Sequence, residues 1–290
     1  MWDVKEYLIA TNPAEAVEMM AAGAGKGRYL AGGTDLLLEK PACDFVVDIS
    51  RAQMSEVAVS PEGDLFVGAA ASLEYLANDQ AVRDFAGGAI SRMAAWCCNR
   101  PVRTTATVGG NLCHAMPSAD MAPVFMALDA TCFVMGQDEQ ESLLLTDFFV
   151  GPRQTVLEGR LLVGLALPAE AAHWHCAGHK LTRSAEDISL VQVAASLGVQ
   201  DGVVENVRIV LGAVAPVPMR SQLAENMVAG LKIAEVTPDI LDDAALIAAG
   251  EAAPISDHRA SAEYRRDMVR VLTRRMLDEV LDRARKGDQS

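Results

Sequence analysis

Two glycine pairs are the residues of this sequence whose type and spacing best suit ligand binding. The first glycine loop is Ala31–Leu36, with Gly32 and Gly33, and the second is Thr107–Leu112, with Gly109 and Gly110. Glycine has no Cβ, so it permits positive φ and lets a ligand approach the main chain closely. Successive amide groups in such loops can point into one concavity and bind an anion. Because a dinucleotide has one pyrophosphate, two matching loops predict a clamp on that group.

Other glycine-rich binding motifs fit the sequence less well. A single Gly-Gly pair is more often a tight turn, so the interpretation depends on there being two loops. Neither loop is the G-x-G-x-x-G fingerprint of a Rossmann fold. The segment Gly23–Gly27 contains Lys26 but lacks the Ser or Thr that follows lysine in a P-loop. A chain with a net charge of −14 can still hold a pyrophosphate on main-chain dipoles.

Histidines and cysteines offer two weaker candidates. His173, His175 and His179 would share one face of a strand, but no carboxylate or second cysteine at ligand spacing supports a metal site, which favours surface or packed histidines. The six cysteines contain no C-x-x-C pair, and the adjacent Cys97 and Cys98 suit a disulfide poorly. We interpret the cysteines as reduced thiols of a cytosolic protein, mostly packed as small hydrophobic side chains. The sequence therefore predicts no catalytic residue and no metal ligand.

The composition limits the class of protein that must position these loops. The 290 residues are 51% hydrophobic and 22% charged, as expected of a globular protein. A net charge of −14 would repel nucleic acid and anionic lipid, and 5% aromatic residues argue against a stacking platform for single strands. No apolar run approaches the ~20 residues that span a bilayer, and the first residues do not resemble a signal peptide. We therefore expect a cytoplasmic protein that neither binds nucleic acid nor inserts into a membrane.

The elements predict an α+β chain with three units. Residues 1–55 read as a β-α-β unit, residues 56–170 as helices and strands that begin with a hairpin, and residues 171–288 as a hairpin followed by three helices. Asn12 is expected to cap the first helix, and Asp201 with Gly202 is the strongest hairpin signal. One helix is expected near residues 81–95, and residues 105–112 are expected to be irregular. The arginines of the last helix are expected to form a solvated face, with a subunit contact as the alternative; they are Arg265, Arg266, Arg270, Arg274 and Arg275.

Ordered motifs along nearly the whole chain resemble the FAD-binding medium subunit of the molybdenum hydroxylases, the family of the xanthine and carbon monoxide dehydrogenases. The motifs are Ala31–Asp35; Arg103 with Ala106–Leu112, Pro117 and Asp120; Lys180, Arg183 and Asp187; Pro216–Arg220 with Glu225 and Gly230; and Asp257–Ser261 with Tyr264 and Arg265. The resemblance implies a two-part FAD-binding domain of the PCMH type, which joins a small βαβ unit to a larger mixed or antiparallel sheet unit. A C-terminal domain of sheet and helices would follow.

The same resemblance implies a set of FAD contacts. Both glycine loops would contact FAD, with their glycine pairs at the pyrophosphate. Asp120 would accept hydrogen bonds from ribose or ribityl hydroxyls, Leu162 would supply an apolar contact, and Lys180 would lie beside the flavin. The implied cofactor-binding residues are Tyr29, Leu30, Ala31, Gly32, Gly33, Thr34, Asp35, Leu36, Thr107, Val108, Gly109, Gly110, Asn111, Asp120, Leu162 and Lys180.

The family role implied for the chain is electron transfer within a larger complex. A molybdopterin-binding large subunit would oxidise the substrate, a [2Fe–2S] small subunit would relay electrons, and this chain would pass them from FAD to NAD+ or another acceptor. Two alternatives stay open: a self-contained FAD-dependent oxidoreductase, and a non-redox nucleotide-binding module. The chain departs from the family pattern at Cys97, Cys98 and Asn99, and also at His114 and Met116.

Overall fold

The computed structural model describes residues 2–287 and places their strands in four sheets. Three of the sheets have three, five and four strands, and the fourth is a two-stranded ribbon. Helices accompany each of the three larger sheets, so the fold is the predicted α+β arrangement. Within residues 2–287, no helix is both long and apolar enough to cross a membrane.

The first unit carries the first glycine loop on a parallel sheet. Its elements are β1 (Glu6–Ile9), α1 (Pro13–Ala22), β2 (Gly27–Leu30), α2 (Leu36–Glu39) and β3 (Phe45–Asp48). The strand order is β1-β3-β2, and both pairings are parallel. The central strand β3 is the apolar one because it has neighbours on both sides and buries Phe45, Val46 and Val47. The loop follows β2 directly, so the sheet fixes where it begins.

The helix α1 begins as its sequence predicts. The side chain of Asn12 accepts a hydrogen bond from the amide of Glu15 at 2.9 Å, and Pro13 occupies the first turn. The Glu15 carboxylate also reaches back, but it accepts from the amide of Thr11 at 2.6 Å, one residue earlier than in a standard capping box. The cap thus fixes the connection between β1 and α1.

The second unit is an antiparallel sheet covered by short helices. Its strands are β4 (Val57–Val59), β5 (Leu65–Gly68), β6 (Thr131–Met135), β7 (Gln140–Leu144), β8 (Phe149–Gly151), β9 (Gln154–Thr155) and β10 (Leu161–Leu167). Its helices are α3 (Leu73–Asn78), α4 (Gln80–Asp84), α5 (Ala89–Trp96), α6 (Arg100–Arg103), α7 (Val108–Cys113) and α8 (Ala122–Met126). The main sheet has the order β4-β5-β10-β6-β7, and β8 pairs with β9.

Two predictions for this unit are wrong. The single helix expected near residues 81–95 is split into α4 and α5, because Gly87 and Gly88 have φ angles of 65° and 75° and break the helical path. The segment 105–112, expected to be irregular, contains the helix α7. The hydroxyl of Thr107 caps that helix by accepting from the amide of Gly110 at 3.0 Å.

The third unit packs an antiparallel sheet against the longest of its helices, and a second long helix packs against that one. Its strands are β11 (His175–Leu181), β12 (Val191–Gln200), β13 (Val203–Gly212) and β14 (Met219–Arg220). Its helices are α9 (Gln222–Asn226), α10 (Pro238–Glu251) and α11 (Ala262–Gly287). The predicted hairpin joins β12 to β13, and both of its turn residues, Asp201 and Gly202, have positive φ, as a type I′ turn requires.

Arg265 departs from the solvated face expected for the arginines of α11. It is 3% exposed, and its guanidinium donates to the carbonyl of Leu190 at 2.7 Å and to the carboxylate of Asp257 at 2.9 Å. A buried guanidinium needs such partners because an unpaired buried charge is costly. Arg265 therefore ties the start of α11 to the beginning of the sheet strand β12.

Candidate cofactor site

The first glycine loop contacts the main chain of Thr105 and Ala106, the two residues that lead into the second loop. A Cβ on Gly32 would stand 1.9 Å from the carbonyl oxygen of Thr105, a distance that no real side chain adopts. Gly32 is therefore needed for the contact between the first and second units, whatever binds beside it. The sequence indicated two loops for one ligand, and the fold does bring the two loops together.

The first glycine loop offers its amides to a ligand. Gly33 has a φ of 68°, which favours glycine. Among the described residues, the amides of Gly32, Gly33 and Thr34 have no hydrogen-bond acceptor. The loop continues into α2, whose carbonyl and amide pairing begins with Leu37 donating to Gly33 at 2.9 Å. Three successive amides without acceptors fit an anion such as a pyrophosphate.

The amides of the glycine pair in the second loop are already bonded, which contradicts the expectation for them. Val108 donates to the carbonyl of Ala71 at 3.0 Å, Gly109 donates to Ala69 at 2.8 Å, and Gly110 donates to the Thr107 hydroxyl. Gly109 and Gly110 are helical and do not have positive φ. Close packing explains them instead, since a Cβ on Gly109 would stand 2.6 Å from the Ala69 carbonyl oxygen.

A polar clamp, formed by His114, Asp35, Glu39 and Arg153, joins the ends of the two loops. The Nε2 atom of His114 lies 3.0 Å from a carboxylate oxygen of Glu39, and its Nδ1 atom lies 3.5 Å from one of Asp35. Arg153 contacts the same Glu39 oxygen at 2.8 Å. Burial works against ionisation of Glu39, but His114 and Arg153 outweigh it and lower the pKa of that carboxyl. The sequence did not indicate this clamp, because its members are far apart along the chain.

Asp120 and Lys180 form a buried ion pair between the second and third units. The Lys180 ammonium donates to one oxygen of Asp120 at 2.8 Å, and both residues are 8% exposed. The other oxygen accepts from the hydroxyl of Ser189 at 2.9 Å and from the amide of Gln192 at 2.5 Å. A buried carboxylate needs several such donors to remain charged. The two predicted site residues are thus brought into direct contact with each other.

Asn111 connects the second glycine loop to the segment that carries Asp120. Its side-chain oxygen accepts from the amide of Met121 at 3.1 Å. Leu162 lies on β10, is 2% exposed and packs in the core of the second unit. Tyr29 lies at the end of β2, and its hydroxyl is buried without a partner among the described residues. Burial also raises the pKa of Tyr29 to about 12, so the hydroxyl stays protonated and can donate a hydrogen bond to a ligand.

The histidines considered for a metal site are placed separately. His175 and His179 lie on β11 and are half-buried, whereas His173 is exposed in the turn before that strand. His179 packs edge-on against Trp96, with ring centroids 4.9 Å apart. Burial lowers the pKa of both strand histidines. Within residues 2–287, no three His, Cys, Asp or Glu side chains converge as a metal site would need.

Comparison with known protein families matches both halves of the chain. The FAD binding domain in molybdopterin dehydrogenase matches residues 3–170, and the CO dehydrogenase flavoprotein C-terminal domain matches residues 177–280. The first of these matches covers more than half of the sequence.

Similar proteins cover the chain from end to end. The xanthine dehydrogenase FAD-binding subunit of Escherichia coli is 27% identical, over 97% of each chain. The glyceraldehyde dehydrogenase medium chain of Sulfolobus acidocaldarius is 29% identical, over 94% of this chain and 97% of its own. A solved structure of carbon monoxide dehydrogenase from Hydrogenophaga pseudoflava superposes with a TM-score of 0.91 at 25% identity, and the match covers 98% of this chain and 99% of that one.

Proposed function

This chain belongs to the FAD-binding subunits of the molybdopterin dehydrogenases, and we propose that it passes electrons from an iron–sulfur partner through FAD to NAD+ or another acceptor. Membership makes it an oxidoreductase subunit with FAD as its cofactor. The observation that carries the proposal is the first glycine loop, which keeps the amides of its glycines free where it contacts Thr105, just before the second loop.

The residues of the first glycine loop fit the pyrophosphate of FAD. The amides of Gly32, Gly33 and Thr34 supply donors for phosphate oxygens, and the positive φ of Gly33 shapes the turn that presents them. The orphaned Tyr29 hydroxyl is a further donor at the same end of β2. FAD, when bound, supplies a ring that accepts electrons in pairs or singly. Leu30, Ala31, Asp35 and Leu36 would complete the contacts of this loop.

The second glycine loop would contact the cofactor through its surface and not through hydrogen bonds from its glycine amides, because those amides are already paired. In this proposal Thr107, Val108, Gly109 and Gly110 contribute a surface that lacks side-chain bulk, and Asn111 fixes that surface to the segment of Asp120. Leu162 would add its apolar contact from the core side.

Asp120 retains capacity to accept a hydroxyl of the cofactor. An ionised carboxylate offers about four lone-pair positions. The Oδ1 atom of Asp120 accepts from Ser189 and Gln192, whereas the Oδ2 atom accepts a hydrogen bond from Lys180 alone among these three donors. Lys180, held beside it, would place a positive charge near the flavin and stabilise a reduced, anionic ring.

The proposed partners are a molybdopterin-binding large subunit and a [2Fe–2S] small subunit. Support comes from the relatives, which are named as subunits or medium chains of dehydrogenases. The substrate of the complex would then bind to the large subunit. We also place the complex in the cytoplasm, a location that suits six unpaired cysteines.

The domain boundaries near residues 55 and 170 are part of the same proposal. Separate hydrophobic clusters support them, with the first centred on Phe45 and Val47 and the third on β12 and α11. The clusters also touch across the boundaries, since Leu161 of β10 belongs to the first of them. The three units would therefore fold as separate cores that dock.

Reconstitution with FAD tests the cofactor assignment. The purified chain is mixed with FAD, passed through a desalting column and examined by absorbance and flavin fluorescence. We expect a yellow protein with one FAD per chain, and Gly250→Ala should bind equally, because its Cβ would meet no atom within 4 Å. A folded protein that stays colourless would refute the proposal and favour a non-redox nucleotide-binding module.

Turnover of the reconstituted chain tests the acceptor. NADH and an artificial electron acceptor should give diaphorase activity, while purines, aldehydes and heteroaromatic compounds should leave the flavin oxidised. Reduction of the flavin by such a substrate, with no partner subunit present, would instead support a self-contained oxidoreductase. Flavin binding without any response to NADH would restrict the proposal to acceptors other than NAD+.

A further inference from the structure

Cys97 and Cys98 form a pair of adjacent thiols at the end of α5. Cys97 is 3% exposed, whereas Cys98 is exposed and has a φ of 49°, which turns the chain sharply after the helix. Their sulfur atoms lie 3.9 Å apart. The other cysteines, Cys43, Cys113, Cys132 and Cys176, are buried or partly buried, so Cys98 is the accessible thiol of the chain.

The main chain around this pair opposes a disulfide. Adjacent Cα atoms are about 3.8 Å apart, less than the ~4.4–6.8 Å that disulfides span. Arg103 donates to the carbonyls of Cys97 and Cys98 at 3.3 and 2.9 Å, and Glu74 holds the same guanidinium at 3.0 Å. Closing a ring between the sulfurs would rotate the peptide that carries the first of these carbonyls. The pair is therefore held as two separate thiols.

The two sulfurs differ in protonation. The thiol of Cys97 donates a hydrogen bond to the sulfur of Cys98, which lowers the pKa of Cys98 below its ordinary value and raises that of Cys97. Burial and the neighbouring Asp120 raise the pKa of Cys97 further. Burial and the charges of Asp120 and Asp35 also act to raise the pKa of Cys98, but the hydrogen bond from Cys97 together with the charge of Lys180 outweighs them. The exposed thiol of Cys98 therefore ionises more readily than the buried thiol of Cys97, so an electrophile should react with Cys98 first.

We propose that Cys97 and Cys98 form a binding site for monosubstituted trivalent arsenicals, with both sulfurs bonded to one arsenic atom. Trivalent arsenic keeps a lone pair, so its three bonds are pyramidal and its two As–S bonds meet at less than a tetrahedral angle. Sulfur atoms that already lie 3.9 Å apart need only approach each other slightly to be bridged by one arsenic atom. A metal ion would need further ligands, and no third His, Cys, Asp or Glu in residues 2–287 completes such a set. A monosubstituted arsenical needs only two.

The reaction is an exchange without a change of oxidation state. The hydrated arsenical carries two hydroxyl groups on arsenic. The Cys98 thiolate forms the first As–S bond and displaces one hydroxyl, and Cys97 then forms the second bond and displaces the other. The hydroxide that Cys98 displaces takes up the proton that Cys98 released to the solvent when it ionised, and the hydroxyl that Cys97 displaces leaves with the Cys97 proton. Two water molecules are therefore released, and arsenic stays trivalent. The exchange itself uses no flavin, although Asp120 and Lys180, which the proposed function places at the cofactor, lie close enough to act on the two sulfurs.

Phenylarsine oxide is the probe for this site. The full chain is reduced, freed of reductant and titrated, and the adduct is followed by intact mass and by the count of free thiols. We expect one phenylarsenic group per chain and the loss of two thiols. A dithiol such as dimercaptopropanol should release the adduct, whereas excess monothiol should not, because the second As–S bond forms within one molecule and strengthens binding by about a hundredfold.

Variants identify the two sulfurs. Cys98→Ser changes an exposed residue, and Cys97→Ala replaces a buried thiol by a small apolar group; each should weaken binding by about a hundredfold. Cys43→Ala, at a cysteine distant in sequence, should bind like the wild type. Urea unfolding establishes that each variant is folded, and Cys98→Ser decides the matter if Cys97→Ala is not. Unchanged affinity in Cys98→Ser, or no adduct on the folded wild type, would overturn the proposal.

Discussion

The carbonyl oxygen of Thr105 occupies the space that a Cβ on Gly32 would need, at 1.9 Å from its position. The first glycine loop therefore contacts a residue two positions before the second loop, and the two units meet there at their main chains. A ligand bound by the free amides of Gly32, Gly33 and Thr34 would lie at this junction. The relative position of the loops then depends on one missing methyl group.

Gly32→Ala should separate the loops. The added methyl group must displace the main chain at Thr105, at a cost of about 1–3 kcal/mol in the free energy of unfolding. We expect weak or absent FAD binding in a protein that still folds, measured by fluorescence titration and urea unfolding. Gly250→Ala is the matched control, because its Cβ has open space within α10 and should not lower stability. Wild-type FAD affinity in Gly32→Ala would show that the loop contact does not shape the site.

His114→Ala should loosen the polar clamp between α2 and the end of α7. Contacts of this partly exposed kind contribute about 0.2–1 kcal/mol, so FAD affinity should fall by at most about fivefold. His114→Gln can still donate to Glu39 and should recover part of the loss. His173→Ala, which changes an exposed histidine outside the clamp, is the control. Equal affinity in all four proteins would mean that the clamp does not position the first glycine loop.

Lys180→Met should destabilise the protein strongly, because it leaves the buried Asp120 carboxylate without its cation. Breaking such a pair costs about 3–5 kcal/mol. Asp120→Asn combined with Lys180→Met removes both charges, and the double variant should be more stable than the sum of the single losses predicts. Urea unfolding of the four proteins measures the coupling. Strictly additive losses would show that the two charges do not interact.

Asp257→Asn should change the acid side of the stability profile. Hydrogen bonds from Arg259, and the nearby Arg265, hold the pKa of Asp257 well below its ordinary value. The ionised carboxylate therefore stabilises the fold at neutral pH, and this contribution is lost as pH falls from about 4 through the lowered pKa. We expect the variant to be about 1–2 kcal/mol less stable at pH 7.

The difference in stability between Asp257→Asn and the wild type should narrow progressively below about pH 4, because the unfolded wild type then binds a proton that the folded carboxylate resists. Chemical denaturation at several pH values gives the profile. Asp138→Asn, which alters an exposed aspartate in the turn between β6 and β7, serves as the control for removing a surface charge. A constant gap at every pH would assign the stability loss to packing rather than to ionisation.

The sequence predicts local features better than those that join distant segments. The Asn12 cap and the Asp201 turn are set by neighbouring residues, and both are confirmed. The free amides expected in the second glycine loop are absent because carbonyls of Ala69 and Ala71, more than thirty residues earlier, accept from them. The spacing of the arginines in the last helix predicted that Arg265 is exposed to solvent. It could not reveal that Arg265 is buried and donates a hydrogen bond to the carbonyl of Leu190.

The edge strand β7 and the polar clamp could not be predicted from the sequence, for related reasons. The strand β7, Gln140–Leu144, is mostly exposed and has no apolar alternation, so its sequence resembles a loop. The partners of His114 belong to α2 in the first unit, and only the docking of the two units brings them together. Contacts between distant segments determine these features, and such contacts cannot be inferred from the local pattern of a single sequence.

The first unit, residues 1–55, is the smallest of the three units, and each strand of its sheet has only four residues. Regions with short strands and small cores open locally at a lower free energy than the rest of a protein. Opening of this unit would lift the first glycine loop from Thr105 while the other two sheets stay folded. The rate at which flavin exchanges with solution would then depend on how often and for how long this unit opens. A damaged cofactor could be replaced in this way without degradation and resynthesis of the protein.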